Sequence, residues 1–118
     1  MPKTVVHVFH DDDHSVVTGT RVAQRIQEVA ADHGSAVEVF CFGPAQRRLA
    51  TPGASPADAT YRRQVDELTA AGVPVGACVN AARADGTEAE LLRRGLTLSV
   101  ARDEFLRFTL EGATVITF

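Results

Sequence analysis

Residues 68–82 read LTAAGVPVGACVNAA, and three kinds of local structure meet in that one stretch. Leu68 closes a helical pattern that carries Tyr61 and Val65 on the same face, and Gly72 stops it. The run 73–78 (VPVGAC) is short and apolar, as a buried strand is. Val79-Asn80-Ala81-Ala82 then begins a helix or a turn, which leaves Cys78 at the junction. Helix, strand and helix in immediate succession predict an α/β layer fold.

The same alternation extends in both directions. Upstream, residues 4–9 (TVVHVF) form a first strand, and residues 15–33 form a helix with Val22, Ala23, Ile26, Val29 and Ala30 on one face. His33-Gly34 closes that helix, because glycine readily turns left-handed. Residues 36–42 (AVEVFCF) are a second strand, ended by Gly43-Pro44, which starts a short helix through Leu49. Residues 50–55 (ATPGAS) read as a surface loop. Ser55-Pro56-Ala57-Asp58 is a helix start, with a serine cap, proline at the first helical position and an early acid. Downstream, Thr87-Glu88-Ala89-Glu90 fits a capping box and a short helix through Arg94. Residues 96–99 form a fourth strand, 101–111 a helix and 113–118 (ATVITF) a last strand. Near-continuous apolar strands belong to sheets covered on both sides. The expectation is one three-layer α/β domain over residues 1–118, its mainly parallel sheet of about five strands flanked by helices on both faces.

Composition narrows the function. Of 118 residues, 45% are hydrophobic and 23% charged, as in ordinary globular proteins. Twelve Lys+Arg against fifteen Asp+Glu give a net charge of -3, unsuited to general nucleic-acid binding. No apolar run approaches the roughly 18 residues of a membrane span, and the opening MPKTVVHVFHDDD is no signal peptide. Two cysteines, Cys41 and Cys78, are too few for a disulfide scaffold or a four-cysteine zinc ribbon. With no export signal, a reducing, cytoplasmic setting is expected.

In parallel sheets, ligands bind beyond the carboxyl ends of the strands. That rule selects residues 10–14, 43–46 and 78–83. Cys41, between Phe40 and Phe42 inside a strand, reads as a buried and inert thiol. Cys78 stands where a following helix would favour thiolate, the nucleophilic form, although a strand-end cysteine also serves as packing. Arg83 follows too closely for a phosphatase-type loop, which needs five intervening residues, and it reads as a solvated arginine. His10-Asp11-Asp12-Asp13-His14 contains metal-ligand types, but acids before a helix also serve as caps. His7, interior to a strand, reads as a hydrogen-bonded core residue. A phospho-receiver site fails, because the third strand ends in Cys78 and the only lysine is Lys3. No Walker loop, GxGxxG turn or GxSxG elbow is present, and no cofactor is implied.

Residues 68–86 (LTAAGVPVGACVNAARADG) resemble the DsrE/DsrF-like family of sulfur-relay proteins: a helix ending in L-x-x-x-G-V, a short strand, a cysteine, then a small-residue helix start. The remaining strands and helices follow the family layout. This resemblance implies a compact α/β domain, assembled as a homo-oligomer (trimer or hexamer), with Cys78 at the persulfide-bearing position. Cys41 matches no functional position. The acidic, histidine-rich run 10–14 departs from the family pattern and puts the partner in question.

Three functions are thereby set against one another. In the first, the chain is a sulfur carrier or sulfurtransferase-like relay protein. Cys78 takes sulfur from a donor protein and passes it to an acceptor, assisted by Asn80, His10 and His14. In the second, it is a non-enzymatic metal- or small-ligand-binding module using His10, Asp12 and His14, with Cys78 as a further ligand. In the third, it is an oligomeric adaptor in which Cys78 only packs.

Overall fold

The computed structural model describes residues 1–51 and 53–118; Pro52, in the expected surface loop, lies outside the described residues. Its elements run β1 (Lys3–Val8), α1 (Asp13–Ala30), β2 (Ala36–Cys41), α2 (Gly43–Ala50), α3 (Pro56–Ala70), β3 (Val75–Cys78), α4 (Val79–Asp85), α5 (Glu88–Arg93), β4 (Thr97–Ser99), α6 (Ala101–Leu110) and β5 (Thr114–Thr117). The five strands pair in the order β4-β3-β2-β1-β5, and every pairing is parallel. The expected α/β class, strand count and covered sheet are all present.

Handedness explains where the helices lie. From β1 to β4 the chain moves steadily across the sheet, and right-handed crossovers place all the intervening helices on one face. The return from β4 to the far side of β1 runs the opposite way, so α6 crosses on the other face. The cores reflect this. One contains Val6, Val8, Val39, Cys41 and Ala77 from the strands, packed with Val16, Leu49, Val65, Ala82 and Leu91 from α1 to α5. The other is small and aromatic: Val5, Phe40 and Phe108, with Phe42 and Phe105 against them. Among the described residues, α1 to α5 thus cover one face and α6 the other.

The helix starts show which sequence signals carried physical weight. Ser55 Oγ accepts from the N–H of Asp58, whose carboxylate accepts from Ser55, so the cap of α3 forms as its sequence suggests. Asp12 caps α1, accepting from Ser15 N–H at 3.1 Å, so the helix starts at Asp13, two residues before the first predicted helical position. The capping box expected at Thr87 does not form. Thr87 is buried, and its hydroxyl turns back to the carbonyl of Ala82 at 3.4 Å, because the left-handed Gly86 folds the end of α4 directly over it. α6 is anchored at its far end by Arg107, which pairs with Glu38, Glu104 and Glu111, while Lys3 also reaches Glu38 and Glu111.

Candidate functional site

The register of the sheet separates the two cysteines. Cys41 stands opposite Ala77 in the ladder and lies in the helix-rich core. Side chains alternate along a strand, so Gly76 and Cys78 belong to the opposite face. A side chain at Gly76 would meet the Phe40 ring at 3.2 Å, which identifies that face as the one under α6. Cys78 keeps extended backbone angles (φ -79, ψ 121), and the alternation holds through it.

Cys78 also occupies a special position in the topology. It ends β3, and its register partner Ser99 ends the adjacent strand β4. From Cys78 the chain turns into α4 on the helix-rich face; from Ser99 it turns into α6 on the other. Where neighbouring strands send their connections to opposite faces, a crevice opens beyond their carboxyl ends, and in open α/β sheets ligands bind there. Cys78 and Ser99 are the residues at the carboxyl ends of the two strands where that rule applies.

The local chemistry is compact. Cys78 Sγ accepts from the N–H of Ala81 at 3.5 Å, in the manner of a capping side chain. Its backbone is held by Gln46 of α2: the Cys78 N–H donates to Gln46 Oε1 at 2.9 Å, and Gln46 Nε2 donates to the Cys78 carbonyl at 2.9 Å. Gln46 lies in the segment that the strand-end rule selects, but nothing in its sequence context singles it out. Cys41, by contrast, is completely enclosed, and burial pushes its thiol up to about 11, with the Tyr61 hydroxyl at 3.6 Å. Both cysteines are thus buried, but Cys41 is completely enclosed in the helix-rich core whereas Cys78 keeps 6% exposure at the strand end.

The remaining candidates are placed elsewhere. Asn80 is exposed on the first turn of α4 and makes no hydrogen bond to the thiol among the described residues. His10 lies in the β1–α1 connection and His14 in the first turn of α1, two strands from β3, and both are exposed. The ligand set His10, Asp12 and His14 is not assembled, and no group of three His, Cys, Asp or Glu residues able to hold a metal is found among the described residues. The acids of that run have other partners. Asp12 accepts from both the N–H and hydroxyl of Ser15, which hold its carboxyl below the usual range, and Asp13 pairs with Arg48. Arg83 pairs with Glu88 at 2.9 Å on the surface, away from any phosphate cradle. A groove of about 230 Å³ between α1 and α3, lined by Gln24, Gln27, Glu28 and Glu67, contains no nucleophile.

Solved structures of the same architecture exist. The chain is similar over 99% of its length to 94% of the conserved protein of unknown function BT1422 from Bacteroides thetaiotaomicron, with TM-score 0.78 and 12% identity. It is similar over its full length to all of MTH1491, a protein of unknown function from Methanobacterium thermoautotrophicum, with TM-score 0.75 and 25% identity. It is similar over 99% of its length to 97% of the ychN protein from E. coli, with TM-score 0.70 and 18% identity. No family model matches the chain, and no curated protein matches it. These likenesses show the fold, from the first strand to the last.

His7 is a residue whose setting the sequence reading only half anticipates. It is buried, and its Nδ1 meets Thr117 Oγ1 at 3.0 Å, tying β1 to β5. Its Nε2 has no hydrogen-bond partner among the described residues, and the ring packs with Phe9, Phe40, Phe42 and Phe105, the last edge-on at 5.0 Å. Burial, and to a lesser degree the charge of His10, lowers its basicity.

Proposed function

We propose that the chain is a sulfur carrier of the DsrE/DsrF-like kind, with Cys78 as the atom that bears the sulfur. The observation that carries this reading is the position of Cys78 at the carboxyl end of β3, beside the end of β4, where the strand connections diverge to opposite faces. The resemblance of residues 68–86 supports it independently.

The step needs no cofactor. The Cys78 thiolate attacks the outer sulfur of a donor persulfide, the donor's S–S bond breaks, and the donor cysteine leaves as thiolate. The proton on the outer sulfur stays with it, so Cys78 becomes a persulfide without net oxidation. An acceptor thiolate reverses the step and releases Cys78. The Ala81 N–H already directed at Sγ stabilises negative charge on that sulfur during both transfers. Asn80 is exposed on the adjoining turn, and in this reading it would contact an approaching partner. His10 and His14 would take part only through a partner or second subunit that bridges the edge.

Donor and acceptor are proteins in this reading, the setting is the reducing cytoplasm, and the carrier works as a homo-oligomer, a trimer or hexamer. Self-association has support in the surface: Leu106 and Leu110 on α6 and Val115 and Ile116 on the open edge strand β5 are exposed apolar residues. Among the described residues no helix is long and apolar enough to cross a membrane.

The test is incubation with inorganic polysulfide or a cysteine persulfide donor, followed by peptide mass analysis. Sulfur is expected on Cys78 and absent from Cys41. A Cys78 that never acquires sulfur, or that alkylates as slowly as Cys41, ends this reading.

A further inference from the structure

Gln46 is a buried side chain that hydrogen-bonds the backbone of Cys78. Its own exposure is 2%, and both ends of its carboxamide are used, one as acceptor and one as donor, each at 2.9 Å. The reason lies in the sheet. A strand residue in a parallel ladder directs its N–H and C=O toward the same neighbour, here β2. But β2 ends at Cys41, and the chain turns away at Phe42 and Gly43 (φ +61) into α2. Without a substitute, the N–H and C=O of Cys78 would be buried and unpaired, an arrangement that folded proteins avoid. The amide of Gln46 presents the donor and acceptor that a strand residue would have supplied.

We propose that Gln46 is the positioning residue of the Cys78 thiol. Cys78 stands between two conformations: the last residue of β3, extended, or the first of α4, helical. The extended state sends the side chain to the face under α6 and allows Sγ to accept from Ala81 N–H. The two bonds from Gln46 are formed by that extended backbone and hold it. Gln46 acts through Cys78, without touching the sulfur, and so governs where the thiol points and which N–H meets it. This inference rests on the reading of Cys78 as the reactive sulfur.

Two variants test it. Gln46→Met keeps the length and removes both hydrogen-bonding groups. Gln46→Glu restores an acceptor and a donor when the carboxyl is protonated and loses the donor when it ionises. For wild type and both variants, the rate of Cys78 alkylation by iodoacetamide is followed from about pH 6 to about pH 10, with sulfur uptake from polysulfide measured in parallel. Continued protection of Cys41 reports that the fold is intact. In Gln46→Met, the alkylation rate of Cys78 is expected to change by about tenfold and its pH profile to move, because small misplacements act on that scale. Gln46→Glu is expected to follow wild type at the acid end and depart from it as pH rises. A Gln46→Met profile superimposable on wild type, with Cys41 still protected, overturns the inference. Amide exchange of wild type supplies a measure that needs no variant: the Cys78 N–H is expected to exchange as slowly as the sheet, and exchange at loop rates overturns the inference too. If the variants move the profile while wild type takes up no sulfur, the sulfur-carrier reading fails and the positioning role stands.

Discussion

Cys41 and Cys78 stand on opposite faces of one sheet, although only a single register step separates them: Cys41 pairs with Ala77, the residue before Cys78. The sheet itself lies between the two thiols, and both are free. Their chemistry diverges for the same reason. Cys41 is fully enclosed between β2 and α2–α3, with burial pushing its thiol up to about 11. In the native protein Cys41 is therefore expected to resist alkylation until the chain unfolds globally, and the two cysteines form no intramolecular disulfide under mild oxidation. Cys41→Ala should destabilise by about 1 kcal/mol, the scale of a small buried group, and leave sulfur uptake unchanged. Labelling of Cys41 at the rate of Cys78 under native conditions would contradict this separation.

Ser99 lies beside Cys78 across the β3–β4 pairing, with its side chain on the same face by the alternation of the strands. Its neighbour Leu98 points the other way and packs against the helix-rich core. Ser99→Trp should fill the crevice and slow both alkylation and sulfur loading of Cys78 by about tenfold, the penalty for displacing a reactant from its productive approach. Leu98→Ala should instead cost roughly 1–3 kcal/mol of stability, since the residue is only partly buried. Its effect on the thiol should be slight. Rate measurements alongside thermal melts separate the two, and equal slowing by both substitutions would place the approach to Cys78 elsewhere.

The sheet was legible in the sequence because each element declares itself locally. Runs such as VVHVF and AVEVFCF have only one way to bury so many apolar side chains, and Gly34 and Gly72 mark helix ends that need a left-handed residue. The place of Cys78 at the junction of β3 and α4 was legible for the same local reason, because a strand pattern meets a helix pattern there. What escaped notice depends on long-range contact. Gln46 is separated from Cys78 by 32 residues, and a glutamine in a short helix has no feature that marks it as a substitute strand. The run 10–14 misleads in the opposite sense. It gathers ligand-type residues in sequence, but the fold distributes them, with Asp12 bonded to Ser15 and Asp13 to Arg48.

Two cap signals that look alike in sequence make a controlled comparison. Ser55 caps α3 through reciprocal bonds with Asp58, and Asp58 is further held by Arg48 at 2.7 Å. Thr87 precedes Glu90 at the same spacing but leaves α5 without a side-chain cap. Ser55→Ala is expected to cost about 1 kcal/mol. Thr87→Ser, which keeps the hydroxyl but drops a buried methyl, should lose about 1 kcal/mol through packing alone. Replacing Glu90 by Ala should have no capping effect on α5. Glu90 also pairs with Arg93 and Arg94. Denaturant titrations of the single and double variants therefore check this, and a coupling energy between Thr87 and Glu90 would mean that the box at Thr87 forms in solution.

His7 links the stability of β5 to pH. Burial among Phe9, Phe40, Phe42 and Phe105 favours the neutral ring, and the nearby His10 opposes its charging, so the folded-state value lies below the ordinary 6.5. In the unfolded chain the imidazole takes a proton near 6.5, before the folded protein does. The unfolded state then binds more protons, and stability falls as pH drops below about 6.5. The loss continues down to the folded-state value, where both states are protonated. Above about 6.5 both states are neutral, and His7 adds no pH dependence there. Because His7 Nδ1 is joined to Thr117 Oγ1, the first amides to lose protection on mild acidification should be those of β5, which β1 alone pairs. His7→Phe should remove the slope of stability against pH in that window, at the expense of the Thr117 link. Urea melts at a series of pH values give the slope, and amide exchange gives its location. A slope that survives His7→Phe would assign the acid sensitivity to another group.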